Sequence, residues 1–313
     1  MGTIHDTVLR IRQRVAALGT GNWLLAISGG MDSMVLLDAA AETLDHDGVT
    51  VATFDHGTGA AAKAAAELVA ERSLHLGLGC VCGVAASVGG SEAEWRTARW
   101  TFLRDVAARL GATIVTAHTL DDQVETVFIR MLRGAGPRGL AGLYATSPVA
   151  RPLVETSRAE IAQYAQGDRT PYVTDPSNLD RRHLRNRVRL DLLPAIEAAS
   201  PGFRVSLLEL AEKASIWRAQ MEAFALTFPM VSDAPQSHSF ERHRLRGFSV
   251  ESLRCIWPAL GARAGVILDW RGTGRLAEFT IEGATGQQIQ LSGGVRVHME
   301  RKAITFRSAA ARG

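Results

Sequence analysis

The hexapeptide Ser28-Gly29-Gly30-Met31-Asp32-Ser33 combines residue types that can hold an anion against a backbone. Glycines let the main chain approach a ligand closely, and a helix start supplies unpaired N–H groups and a positive dipole end. Ser28 and Ser33 add hydroxyl donors. No lysine is present, so the stretch is not the commoner Gly-x4-Gly-Lys-Ser/Thr phosphate loop. Asp32 would repel phosphate unless it meets a cation such as Mg²⁺. The plainer alternative is a tight strand-to-helix turn with a capping Asp.

A second group is His118, Asp122 and Glu125. Asp122 and Glu125 are three apart and share a helix face, which could hold Mg²⁺ or an ammonium group. Asp121 or Asp122 could instead cap that helix. His118 can exchange a proton near neutral pH. Two arginine groups follow. Arg133 and Arg138 lie among Gly134, Gly136, Gly139 and Gly142, a composition suited to a nucleic-acid backbone or to a mobile surface loop. Arg185, Arg187 and Arg189 surround Asn186. In a helix, Arg185 and Arg189 share one face and Arg187 takes another. Acids are few there, which favours phosphate binding, to ATP or to RNA, over a solvated face.

Positioning these residues requires strands that end where helices begin. Apolar runs at 23–27, 49–54, 78–84 and 113–117 read as strands. Helical periodicity follows at 31–44, 60–72, 92–110 and 121–132. This alternation predicts an α/β fold, a parallel sheet with helices on both faces, whose ligands bind beyond the carboxyl ends of the strands. Ser157-Arg-Ala-Glu160 is a capping box for a helix at 159–165. Residues 171–178 and 229–239 read as loops, and 189–199 and 204–226 as helices. Short strands at 287–291, 295–299 and 303–306, with the turn Gly293-Gly294, close a smaller C-terminal α+β module. The expected domains are 1–213 and 214–313.

The chain has 313 residues, 46% hydrophobic and 21% charged, which excludes a disordered, collagenous or coiled-coil chain. Net charge is +3, but residues 1–213 hold 22 Lys+Arg against 24 Asp+Glu while 214–313 hold 13 against 8. A basic back domain points to a polyanionic partner. Cys80, Cys82 and Cys255 form no disulfide framework and no metal-ligand spacing, as suits a reducing cytosol. No secretory signal or membrane-length apolar run is read, so a cytoplasmic protein is expected.

The 28–33 hexapeptide resembles the pyrophosphate loop of the PP-loop ATP pyrophosphatases, which are Rossmann-like. Four further stretches narrow the likeness: Asp55-His56-Gly57; Glu92-x3-Arg96-x2-Arg99-Trp100; Ala117-His118-Thr-Leu-Asp121-Asp122-Gln-Val-Glu125-Thr126 leading into the Arg-Gly segment; and Asp175-Pro-Ser-Asn178 through Arg185-Asn186-Arg187. Together, in order over residues 23–200, they resemble the tRNA(Ile)-lysidine synthetases. A weaker match covers 287–306. Three details depart from the family pattern: Thr58-Gly59 in place of Leu-Arg, Thr119 in place of a second histidine, and Trp100 in place of tyrosine.

The resemblance implies ATP-dependent joining of L-lysine to C2 of the wobble cytidine in tRNA(Ile) with a CAU anticodon, through an adenylated base. It implies ATP and Mg²⁺ as cofactors, and that tRNA and lysine as partners, with a homodimer as a further candidate assembly. By the same token Asp32, His118, Asp122, Glu125, Arg96 and Arg187 are expected to be catalytic. Ser28, Gly29, Gly30, Met31, Asp32, Ser33 and Asp55 are expected to bind ATP, and Asp32 and Asp122 the metal. Arg133, Arg138, Arg185 and Arg189 are expected to bind tRNA. The rival readings are a PP-loop tRNA base thiolase and a non-catalytic tRNA- or ATP-binding module.

Overall fold

An unbroken apolar run such as Trp23-Leu24-Leu25-Ala26-Ile27 suits a strand covered on both faces, and it forms the middle of the main sheet. A computed structural model describes residues 3–57, 59–85, 92–234 and 237–307, the side chains at 92–93 and 232–234 excepted. The chain begins with α1 (Ile4–Ala16), β1 (Trp23–Ala26), α2 (Met31–Thr43), β2 (Val49–Asp55), α3 (Ala60–His75) and β3 (Gly79–Val84). There follow α4 (Glu92–Leu110), β4 (Thr113–Thr116), α5 (Leu120–Leu132), the single turn α6 (Pro137–Leu140) and the two-residue strand β5 (Val149–Ala150). Then come α7 (Arg158–Gly167), α8 (Leu184–Arg187), a π-helical turn at Val188–Leu192, α9 (Leu193–Ala199) and α10 (Phe203–Leu226).

The five strands pair in the order β3-β2-β1-β4-β5, all parallel. Alternation along β1 divides the core. Leu25 joins Ile11, Met34, Leu37, Val69 and Tyr164, from α1, α2, α3 and α7. Leu24 and Ala26 face Leu103, Val106 and Ala107 of α4. Each such aliphatic side chain contributes roughly 1.5–3 kcal/mol on burial, so helices cover both faces as expected. Ala26 lies level with Ala52 of β2 and Thr116 of β4. The segments leaving β1 and β4 therefore emerge side by side. The strand order changes direction between these two strands, and a crevice forms there.

The rest of the chain supplies β6 (Met230–Ala234), β7 (Ser237–Glu241), α11 (Arg242–Leu245), α12 (Val250–Arg263), α13 (Trp270–Glu282), β8 (Gln288–Gln290), β9 (Arg296–Met299) and β10 (Ala303–Arg307). These strands form a second sheet, β6-β7-β10-β9-β8, antiparallel throughout. Its core centres on Trp257, Phe240 and Phe306, and Trp257 Nε1 donates to Thr280 Oγ1 at 2.9 Å. The smaller α+β module is present, with one correction. Residues 229–239, read as a loop, contain β6 and the start of β7, with Met230 level with Phe240. Met230 packs on the core and Phe240 is inside it, while Val231 is exposed and Ser237 to Ser239 are half-buried. A strand with one wet face needs few apolar residues, so the segment looks loop-like in sequence.

The molecule divides into two compact units, Met1–Ile129 with Thr146–Leu208, and Arg130–Ala145 with Glu209–Gly313. This differs from the expected break at 213/214. The Arg-Gly segment groups with the second unit, where Arg138 pairs with Glu222 at 2.9 Å and Ser215 donates to the Tyr144 carbonyl. No described helix is long and apolar enough to cross a membrane.

Candidate active site

Beyond the carboxyl ends of β1, β2 and β4 lies a cleft of about 690 Å³, within the usual range for small-molecule sites. The 28–33 loop forms one wall. Gly30 is the N-cap of α2 and no side chain caps it, which leaves the first N–H groups of a 13-residue helix for a ligand. Ser33 Oγ donates to the Gly30 carbonyl at 2.8 Å and accepts from Ser28 N at 3.2 Å, so the hydroxyl fixes the turn. Gly29 has φ +82°, and a Cβ there would lie 2.8 Å from both Cβ and the carbonyl oxygen of Ala65. Only glycine fits. The Gly29 carbonyl accepts from Val173 N at 2.9 Å, which ties the 172–178 segment to the cleft edge.

The opposite wall carries the carboxylates. Asp122 N and Thr119 Oγ1 lie 3.4 Å apart, while Asp122 Oδ2 accepts from Thr119 N at 2.9 Å. Asp122 therefore caps α5 and lines the cleft at once. Glu125, one turn on, is 2% exposed. A carboxylate buried that deeply needs partners. Arg189 supplies them at 2.5 and 3.0 Å, and Arg185 bridges Glu125 at 2.7 Å and Asp122 at 2.8 Å. Burial pushes the Asp122 carboxyl up, but Arg185 and the Thr119 N–H outweigh it, so it stays below its ordinary range. Asp32 shows the reverse. Burial raises it, Arg158 opposes, and the nearby Asp122 charge raises it further.

His118 leaves β4 with Nδ1 2.7 Å from Thr116 Oγ1. Burial lowers its pKa to about 4, against the opposing pull of Asp122. The imidazole is therefore neutral at physiological pH. His56 also lines the cleft, and its buried Nδ1 has no hydrogen-bond partner among the described residues.

Ser28, Gly30, Met31, Asp32, Ser33, His118, Asp122 and Arg189 all line the cleft, as do Arg99 and Arg158. Gly29 is a buried member of the loop, and Glu125 and Arg185 do not line the cleft, although Arg185 bonds Asp122. Asp55 is not a lining residue. It turns the chain by accepting from Gly57 N at 2.8 Å, between Phe54 and His56, which do line the cleft. Thr58 lies outside the described residues. Arg96 and Arg187 are exposed and do not line the cleft. Arg133 is exposed, and it and Arg138 belong to the second unit. Sequence reasoning overlooked Arg158, because Ser157 and Glu160 around it announce only a helix start. Arg99 was visible in the Arg-x2-Arg spacing, but nothing in the spacing says which arginine turns inward.

The PP-loop domain family matches residues 4–196. A tRNA(Ile)-lysidine synthase of Salinispora tropica is 37% identical over 306 residues, covering 88% of this chain and 88% of its own length. Another from Salinispora arenicola is 34% identical over 336 residues, covering 97% of this chain and 98% of its own. Among solved structures, a U34-tRNA thiolase from Methanococcus maripaludis superposes with a TM-score of 0.53 at 16% identity, over 67% of this chain and 78% of that one. At that identity the likeness is one of fold.

Proposed function

Because the chain belongs to the PP-loop family, and within it to the tRNA(Ile)-lysidine synthases, we propose how its cleft joins lysine to the wobble cytidine. The reaction has two steps. The cytosine O2 attacks the α-phosphorus of ATP, and pyrophosphate leaves with the bridging electron pair. The lysine ε-amine then attacks C2, and AMP leaves. A carbonyl oxygen is a poor leaving group, so adenylation must come first. The observation that carries this reading is the pairing of walls: an uncapped helix start with two serines lines the same cleft as the Asp122 carboxylate, which Glu125 backs through their shared Arg185. One wall suits a polyphosphate, the other an ammonium group.

Residues 28–33 hold the departing pyrophosphate, and the Asp55 turn shapes the nucleoside end. Asp122 and Glu125 keep lone pairs for the lysine ammonium beside their arginine bonds. Neutral His118 accepts a hydrogen bond from the amine and helps pass its proton to water in the cleft, since a group with pKa about 4 is a weak final acceptor. Arg99, half-buried and lining the cleft, takes the stabilising role expected of Arg96. Arg96 and Arg187 at the surface are left to meet the tRNA that presents the extruded base. Asp32 and Asp122 are the residues to hold Mg²⁺, which takes one or two carboxylates and completes its shell with phosphate and water. Both line the cleft, and the nearby Asp122 charge raises the Asp32 carboxyl, an effect a shared cation would relieve. When bound, it would neutralise charge on the leaving pyrophosphate.

Thiolation on the same scaffold has less support. Cys80 and Cys82 stand 4.0 Å apart on β3, and no cysteine lines the cleft among the described residues. A cytoplasmic homodimer is part of the proposal, to be checked by light scattering. The decisive assay combines ATP, lysine and tRNA(Ile) with a CAU anticodon, followed by nucleoside mass analysis. Lysidine and AMP are expected, and sulfur incorporation or an unchanged nucleoside would reject the reading.

A further inference from the structure

Three arginines face the cleft carboxylates, and their contacts differ in kind. Arg185 and Arg189 are fully engaged, with bonds of 2.5–3.0 Å to Glu125 and Asp122. Arg158 is not. Its guanidinium lies 3.6 Å from Asp32 and 4.0 Å from Glu125, beyond hydrogen-bond length. Its backbone, by contrast, is fixed. Ser157 and Glu160 form a capping box, and Arg158 N donates to Asp121 Oδ2 at 2.8 Å. Asp121 is held in turn by Arg204 at 3.3 Å. The side chain lines the cleft next to the phosphate loop. An anchored stem whose guanidinium makes only long contacts, to Asp32 and Glu125, is the arrangement expected of a group that can turn to an anionic ligand.

We propose that Arg158 is a further catalytic residue, which binds the β,γ-phosphates of ATP and, in doing so, releases Asp32 from its ion pair. The proposal rests on the lysidine-forming reading above, in which pyrophosphate departs against residues 28–33. The donors now directed at the carboxylate turn to the phosphate oxygens. As the bond from the α-phosphorus to the bridging oxygen breaks, the electron pair moves onto pyrophosphate beside the guanidinium. Asp32, relieved of its countercharge, becomes available to a divalent cation at the moment the nucleotide arrives. Nucleotide and cation binding are thereby coupled through one side chain.

Three measurements on the full chain test this: ATP affinity by equilibrium dialysis, Mn²⁺ affinity of the nucleotide-free protein by electron paramagnetic resonance, and lysidine turnover. Arg158→Ala should weaken ATP binding and lower turnover roughly 100- to 1,000-fold, the usual effect of losing one transition-state donor. The same variant should bind Mn²⁺ several-fold more tightly without nucleotide, which a merely structural arginine would not produce. Arg158→Lys keeps the charge but not the fork, so it should keep wild-type Mn²⁺ affinity and recover ATP binding only in part. It also serves if the alanine variant fails to fold. Unchanged ATP affinity in either folded variant would overturn the proposal, as would unchanged or weaker Mn²⁺ binding by Arg158→Ala. Absence of lysidine from the wild-type reaction would instead reject the functional reading, because the two binding measurements do not depend on it.

Discussion

At the scale of single residues, the cleft turns on how a buried carboxylate is kept charged. Glu125 is 2% exposed and accepts from two arginines that are themselves partly exposed. The two sides of this cluster should therefore respond unequally to truncation. Glu125→Ala leaves two arginines that can turn to water. Arg185→Ala with Arg189→Ala leaves a buried charge with only distant Arg158 for company. Stranding one partner of a buried pair costs about 3–5 kcal/mol, so urea melts should show the double arginine variant to be the less stable. Equal losses would contradict this. His118 supplies a pH signature. Its folded pKa is about 4 against an ordinary 6.5. Between those values the unfolded chain carries the proton and the folded protein does not. Stability is therefore lost as pH falls through that window, and His118 contributes nothing to pH dependence above it. Relative to His118→Gln, the wild type should lose about 2 kcal/mol on moving from neutral pH to about pH 5. Parallel stability–pH curves would show that the imidazole protonates freely.

At the scale of elements, the phosphate loop works because a strand, a tight turn and a helix start occur within a few residues. Gly29 is the residue on which this depends, and Gly29→Ala tests it. The methyl group would meet Ala65 at 2.8 Å in a left-handed backbone. The loop must shift, and a displacement near 1 Å at a reacting group costs roughly 100-fold in rate. ATP-dependent AMP formation should fall on that order while the far-ultraviolet spectrum is unchanged. The same elements show what could be read from sequence. The four long strands of the parallel sheet and their helices were legible because both-face burial writes continuous apolar runs. Ser28 to Ser33, His118 and Asp122 were legible because they sit where those runs stop. The strand β5 is two residues long and too short for any periodicity. The β6–β7 hairpin has few apolar residues and reads as a loop in sequence. Arg185 and Arg189 were rightly placed on one face, but their target was hidden, because Glu125 lies about 60 residues away in sequence. Thr119, a departure from the family pattern, proves to be the cap of α5, a role its hydroxyl performs where a second imidazole could not copy the bond.

At the scale of the whole molecule, charge is divided unevenly along the chain. Residues 1–213 carry slightly more acid than base, with acids and arginines of the cleft largely neutralising one another. Residues 214–313 carry 13 basic against 8 acidic residues. Within that part, the start of α13 presents Trp270, 68% exposed, together with exposed Arg271 and Arg275. The two arginines are four apart, so they lie on one face of the helix, and Trp270 is exposed at its first position. An exposed indole offers stacking to a base, and two exposed guanidinium groups offer attraction to a phosphate backbone. Asp269 at the N-cap accepts from Gly272 N and from Ser292 Oγ at 2.6 Å and stays charged, one acid against the two arginines. If the second unit grips tRNA, affinity is governed by counterion release, and the logarithm of the binding constant falls linearly with the logarithm of salt. Arg271→Ala and Arg275→Ala should each lower that slope by about 1, with a uniform loss of affinity across tRNA sequences. ATP affinity should not change, because the cleft residues all belong to the first unit. Filter binding over about 50–200 mM salt measures the slope. An unaltered slope in both variants would move the grip away from α13. A changed ATP affinity would show instead that the two functions are not separable by unit.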